Sequence, residues 1–168
     1  MAIRNIRIDG DEILRKKSKE VKEITPRITE LIEDMFDTMR EAEGVGLAAP
    51  QVGVLKRIFI VEIENEDESL CTGEMVFINP VILEEDGEQE LDEGCLSLPG
   101  KAGKVIRPMK LICKAFDKNM QEFTIEADEY LARVISHESD HLEGILYKDK
   151  IIGELRDVEE VEAEEEEA

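Results

Sequence analysis

Histidine is scarce in this chain. Two occur in 168 residues, so a site built on three imidazoles is excluded. Cysteine is scarce as well: three is an odd number, and Cys71, Cys95 and Cys113 show no disulfide framework, which makes a reduced cytoplasm the simplest home. Long apolar runs are missing, and nothing approaches the ~18 residues expected of a membrane-spanning helix. The opening MAIRNIRIDGDEILRKK lacks the apolar stretch of a secretory signal and is too acidic for a typical organellar transit peptide. Positive charge is the last shortage. Lys and Arg number 21 against 42 Asp and Glu, and a net −21 argues against nucleic acid and anionic membrane as electrostatic partners. Part of this excess is local: from Glu154 to Ala168 nine acidic residues face one arginine, net −8, which leaves −13 elsewhere. We read 154–168 as a solvated, frayed acidic tail and 1–153 as a single catalytic domain, long enough for a real core.

The two histidines fall in His137-Glu138-Ser139-Asp140-His141, an HExxH pattern. Residues four apart share a helix face, so His137 and His141 can grip one metal ion with Glu138 beside it. The local sequence supports a helix. Leu131, Val134, Ile135, Leu142, Ile145 and Leu146 recur at helical spacing, Asp128 suits the N-cap, and Gly144 or the residues after it suit the end. At about 100° per residue, Glu138 falls in the middle of the apolar arc, between Val134 and Leu142, with both histidines along one edge. A carboxylate aimed at a core is costly unless paired or bound, and a merely solvated helix would carry it on the opposite side. A catalytic zinc-type site takes three protein ligands and leaves one position for water. The third ligand has to be Cys, Asp or Glu, and the residues alone leave that choice open.

Upstream, Thr25-Pro26 reads as N-cap and first residue of an amphipathic helix carrying Ile28, Leu31, Ile32, Met35, Phe36, Met39 and Ala42, ended by Gly44. Gly44-Val45-Gly46-Leu47-Ala48-Ala49-Pro50-Gln51 follows. Its GxGxxA comes after a helix rather than a strand and contains a proline, so it fails as a dinucleotide fingerprint. It reads instead as a loop whose glycines admit a ligand close to the backbone, with Gln51 as an amide donor. Short strands are expected at 57–62, 75–79, 81–83, 88–91, 105–107, 109–116 and 121–127. Cys95 stands in Glu93-Gly94-Cys95-Leu96-Ser97-Leu98-Pro99-Gly100, a break that presents a thiol. Cys113 sits mid-strand as a small hydrophobe, and Cys71 looks incidental. The fold class is α+β: short, largely antiparallel strands packed around a central HExxH-bearing helix, with a second amphipathic helix near the N-terminus.

Three stretches, GVGLAAPQ at 44–51, EGCLS at 93–97 and HESDH at 137–141, together resemble the peptide deformylases, over nearly the whole chain from about Ile8 to Ile151. The resemblance implies a metal-dependent hydrolase that removes the formyl group from N-formylmethionyl peptides. It implies one divalent ion, Fe²⁺ natively with Zn²⁺, Ni²⁺ or Co²⁺ as replacements, held by Cys95, His137 and His141 with water in the fourth position. Glu138 would be general base and acid as metal-bound hydroxide attacks the formyl carbon. Gln51 and the backbone N–H of Leu96 would stabilise the oxyanion. Gly46 would shape the formyl pocket, and Val45 and Val134 would line the methionine pocket.

Two departures stand out: Ser136 where the family usually has Gln, and Glu129 where a glycine is common. Some bacterial members dock on the ribosome through a basic C-terminal helix. The acidic tail argues against that mode here and leaves only transient ribosome contact open. The competing readings are a zincin-like metallopeptidase with a downstream ligand such as Glu159, and a non-enzymatic structural or redox-sensing metal module, which would need a fourth ligand.

Overall fold

A computed structural model describes residues 2–167. The sequence builds its first long helix, α1 (Pro26–Glu41), where expected: Thr25 Oγ1 accepts from the Ile28 N–H at 3.3 Å and Pro26 holds the first turn. Its end differs by one residue. Glu43, not Gly44, takes the left-handed position (φ 57°). The Gly44 N–H returns to Met39 O at 2.9 Å and the Glu43 N–H to Arg40 O at 3.1 Å, a Schellman closure without glycine at its usual place. Gly44 is needed for another reason: a Cβ there would stand 2.8 Å from Leu96 Cδ1.

Strands β1 (Gly46–Ala48), β2 (Ile58–Val61), β3 (Met75–Asp86), β6 (Lys110–Phe116) and β7 (Glu122–Asp128) form one antiparallel sheet in the order β1-β2-β3-β6-β7. Strand β2, IFIV, is buried on both faces. Its alternation decides the layering. Ile58 and Ile60, with Val76 and Ile78 of β3, pack on the α1 stripe of Ile28, Leu31, Met35 and Met39. Phe59 and Val61, with Phe77, face the other way, toward helix α2 (Glu129–Leu142) and its Val134, Ile135 and Leu142. Phe59 and Phe77, directly paired in register, stack at 4.6 Å. The two short strands expected at 75–79 and 81–83 are one strand, β3, with irregular pairing around Asn79 (φ 51°) and Pro80.

A second antiparallel sheet has the order β4-β5-β8, from β4 (Gln89–Cys95), β5 (Leu98–Arg107) and β8 (Ile151–Asp157). The break expected around Cys95 is the turn of the β4–β5 hairpin: Cys95 pairs with Leu98, and Leu96 and Ser97 make the corner. Leu14, Leu98, Val105, Leu146 and Tyr147 form a third core cluster beside this sheet.

The C-terminal boundary needs correction. A cut at 153 falls inside β8, and residues 158–167 form helix α3 (Val158–Glu167). Leu155 packs on the third cluster and Val161 is buried. Acidic composition hid these apolar anchors, whose burial outweighs the preference of the surrounding glutamates for water.

Candidate metal-binding active site

Helix α2 carries both histidines, and its ends are set by backbone geometry. Asp128 is extended but makes no side-chain cap. Glu129, where glycine is common in the resembling family, sits at φ 49°; its N–H donates to Met109 O (2.8 Å) and its carbonyl accepts from Gln89 Nε2 (2.7 Å), which holds a left-handed residue in place. The C-terminus closes with the Ile145 N–H on Asp140 O (3.0 Å) and Gly144 at φ 74°. A Cβ on Gly144 would lie 2.5 Å from Arg15 O, so only glycine lets the N-terminal segment pass.

The β4–β5 corner brings Cys95 to this helix. One ligand atom each from Cys95, His137 and His141 lies within 4.8 Å of the others, and Cys95 Sγ is 3.4 Å from His141 Nε2. Thiolate and imidazole are donors that suit a first-row transition-metal ion. The two histidines differ electrostatically. Burial works against charging His137, but its bond to Cys95, the nearby Glu138 charge and the bond to Glu93 outweigh burial and raise it to about 10. His141 goes the opposite way, held well below its ordinary value by burial and by His137. His141 is thus kept in the neutral form that offers a lone pair, whereas a metal ion at the centre would take the place of the proton on His137. Glu159, the carboxylate that a metallopeptidase-like arrangement would enlist, is exposed on α3 and outside this group.

A cavity of about 440 Å³ opens onto the site. Val45, Gly46, Gln51, Cys95, Leu96, Val134, His137 and Glu138 line it, and His141 sits deeper, 1% exposed. Of the nine residues singled out in the sequence, all are thus gathered around one centre. Glu138 is 4% exposed and its Oε1 has no hydrogen-bond partner among the described residues; burial, only partly opposed by His137, pushes its carboxyl up to about 7. Gly46 makes room for it, since a Cβ there would stand 2.8 Å from Glu138 Oε2. Gln51 is oriented by the backbone of Ala48, three residues before it. Its oxygen accepts from the Ala48 N–H (2.9 Å), which turns the NH₂ toward Ser97 Oγ (3.1 Å) and Cys95 Sγ (3.5 Å).

Four further residues organise the site. Glu93 accepts from Arg107 at 2.9 Å through each of two nitrogens, from Arg133, and from His137 Nδ1 at 2.7 Å, which leaves His137 Nε2 for the centre. Burial alone would raise the Glu93 carboxyl, but the bonds from His137 and Arg107 prevail and hold it at about 2. Arg107 also reaches Asp140 (2.6 Å) and Ser136 Oγ (3.3 Å), so the serine in the unusual position supplies a hydroxyl to this network. Tyr147 stacks over His137 with ring centroids 6.0 Å apart. Sequence signals existed for two of the four: Glu93 lies two residues before Cys95, and Arg133 lies one turn before His137 on the same side of the helix. Arg107 and Tyr147 carried none.

The profile of the polypeptide deformylase family matches residues 3–157. The chain belongs to that family. A peptide deformylase of Lachnoclostridium phytofermentans is 54% identical over 167 residues, covering 99% of this chain and all of that one, and one of Agathobacter rectalis is 53% identical over 94% of this chain and 96% of its own. Among solved deformylase structures, that of Legionella pneumophila superposes with a TM-score of 0.84 at 42% identity, covering 90% of this chain and 87% of that one. That of Thermotoga maritima gives 0.85 at 37%, covering 91% and 100%. The mixed helix and antiparallel-sheet fold is therefore the deformylase fold, and this member of the family is an enzyme. No helix among the described residues is long and apolar enough to cross a membrane.

Proposed function

We propose that this enzyme removes the N-formyl group from the N-terminal formyl-methionine of newly made polypeptides, in the cytoplasm, with α2 as the central helix that the strands pack around. The observation that carries the reading is Glu138: a buried carboxyl whose Oε1 has no hydrogen-bond partner among the described residues, beside a cavity where an amide donor, a thiol and two imidazoles converge. Cys95, His137 and His141 would hold one divalent ion, Fe²⁺ natively with Zn²⁺, Ni²⁺ or Co²⁺ as substitutes. When bound, the ion supplies the Lewis acidity that makes water a nucleophile near neutral pH.

The chain's own residues do the rest. Glu138 takes the proton of the attacking water and returns it to the leaving amine; a value of about 7 suits both directions near neutrality. The Gln51 amide and the Leu96 N–H meet the developing oxyanion, each donor worth on the order of 3 kcal/mol. Gly46 and the adjacent Glu138 keep the inner pocket narrow, enough for a carbonyl carbon that bears only hydrogen. Val45 and Val134 offer apolar surface to the methionine side chain. Formate and a free α-amine leave.

The test is release of formate from formyl-Met-Ala by anaerobically prepared protein, with elemental analysis of the same sample and of Cys95→Ser. Formate release with about one ion per chain, and loss of most of that ion in the variant, is expected. No formate from the metal-loaded enzyme refutes the activity, and stoichiometric metal in Cys95→Ser refutes the ligand set.

A further inference from the structure

Residues 7–18 carry no group of the reaction, yet they bond to four segments that surround it. The Arg7 N–H donates to Gln51 O at 2.7 Å, and the Asp9 N–H donates to Ser97 O at 2.8 Å. The Ser18 N–H donates to Leu142 O at 2.9 Å, at the end of α2. The Asp9 carboxylate accepts from Lys148 Nζ at 2.6 Å, beside the Tyr147 that stacks over His137. Arg7 and Asp9 therefore bridge two corners that lie 46 residues apart in the chain.

Both corners need a donor from outside. Gln51 sits in a short turn, Ala49–Val52, and is 1% exposed. The carbonyls of Ala49 and Pro50 take the N–H groups of Val54 and Gly53, while that of Gln51 is met by Arg7. Ser97 is fully buried at the β4–β5 corner, and its carbonyl is met by Asp9. A buried carbonyl left without a donor is costly, so the arm stabilises both corners as they stand. The corners also hold each other, since Gln51 Nε2 donates to Ser97 Oγ at 3.1 Å. The chain leaves room for the arm: Gly53, at φ 86°, lies where a Cβ would stand 2.8 Å from Arg7 Nη2.

We infer that the N-terminal arm is a positioning element of the oxyanion site, in which the backbone N–H groups of Arg7 and Asp9 hold the Gln51 amide and the Leu96 N–H at the separation that the oxyanion requires. The inference rests on the deformylase reading above, because it takes those two donors as the ones that meet the oxyanion. The arm acts through the two corners and touches neither substrate nor reacting atoms. Donors aimed at developing charge lower a barrier only while they are held in place. Loosening them weakens contacts made in the transition state, so kcat falls and KM stays.

The experiment replaces one amide N–H by an ester oxygen. A lactic-acid residue at position 7 or 9 is compared with alanine at the same position, so that the two chains differ only in the donor. Formate release from formyl-Met-Ala by the metal-loaded protein gives kcat and KM, and elemental analysis of the same samples gives bound metal. Each ester should lower kcat by about 10-fold, part of the roughly 10²–10³ lost with a whole donor, with KM within ~2-fold and metal content unchanged. In a Gln51→Ala background the ester at position 7 should cost no more than ~2-fold, because the group it positions is gone. Arg7→Pro deletes the same donor with an ordinary residue and should lower kcat at least as far. Equal kcat for ester and amide, or a loss at position 7 that persists in full beside Gln51→Ala, overturns the inference. So does a loss of metal in step with the rate, since the arm would then be holding Cys95 rather than the donors. No formate from the wild-type holoenzyme removes the deformylase reading itself, an outcome distinct from equal rates for ester and amide.

Discussion

Gly46→Ala isolates the placement of one carboxylate. The backbone of Gly46 is not in the left-handed region, so alanine meets no conformational penalty there; the obstacle is space. An added Cβ would stand 2.8 Å from Glu138 Oε2 and 3.0 Å from both Cδ and Cγ. Carbon contacts settle near 3.5–4.0 Å, so the Glu138 side chain has to retreat by roughly 0.5–1 Å. It is 4% exposed and wedged in a packed helix face, so the retreat pulls it off the position where it meets the attacking water. A displacement of about 1 Å costs on the order of 10² in rate, near 3 kcal/mol of barrier. Formate release from formyl-Met-Ala reads the loss in kcat/KM, and metal content should stay constant because no ligand is touched. A double-mutant cycle sharpens the test. In a Glu138→Ala background the new methyl group has nothing to push, so adding Gly46→Ala should cost little further residual rate. Activity within ~3-fold of wild type, or a full extra 10² loss on top of Glu138→Ala, would falsify the placement argument.

Three more substitutions probe what surrounds the site. Glu93→Gln keeps the shape but leaves buried Arg107 and Arg133 without their shared countercharge, so chemical denaturation should show about 3–5 kcal/mol lost; a loss under ~1 kcal/mol would mean that the arginines find other partners. Glu129→Gly removes the strain of φ 49° and should raise stability by about 0.5–1 kcal/mol, after glycine's own entropy cost, whereas Glu129→Ala should give no gain. Deleting 156–168 removes Val158, which lines the cavity, and buried Val161, so thermal unfolding should reveal at least ~2 kcal/mol of destabilisation; an unchanged Tm would return the segment to the status of a loose tail.

What the sequence disclosed, and what it withheld, follows from how local each signal is. HExxH announced itself because four-residue spacing on a helix is a property of neighbours, and Glu138 betrayed its task by lying in an apolar arc. The α1 stripe was readable for the same reason. Cys95 was visible as a thiol in a break, yet nothing in its spacing said that the break is a hairpin corner aimed at α2; similarity to a known family supplied that link. Arg107 is the instructive omission. In KVIRPMK it is one basic residue among several, and it becomes a buried hub only because β5 carries it beneath Glu93, Asp140 and Ser136. The C-terminal segment was misjudged because glutamates dominate its composition, while two valines and a leucine determine where it lies. Charge can be counted from a sequence, but pairing across a sheet cannot.

Glu93 satisfies two arginines and one imidazole that come from a hairpin and a helix some 40 residues downstream. Until the hairpin reaches the helix, Glu93 has only Arg107 of its own hairpin as a partner, and Arg133 is a stranded charge that gains nothing from leaving water. A half-assembled chain is thus penalised for collapsing in any arrangement that keeps them apart. His137 acquires its working tautomer at the same moment that the penalty is lifted, so correct docking and chemical competence arrive as one event.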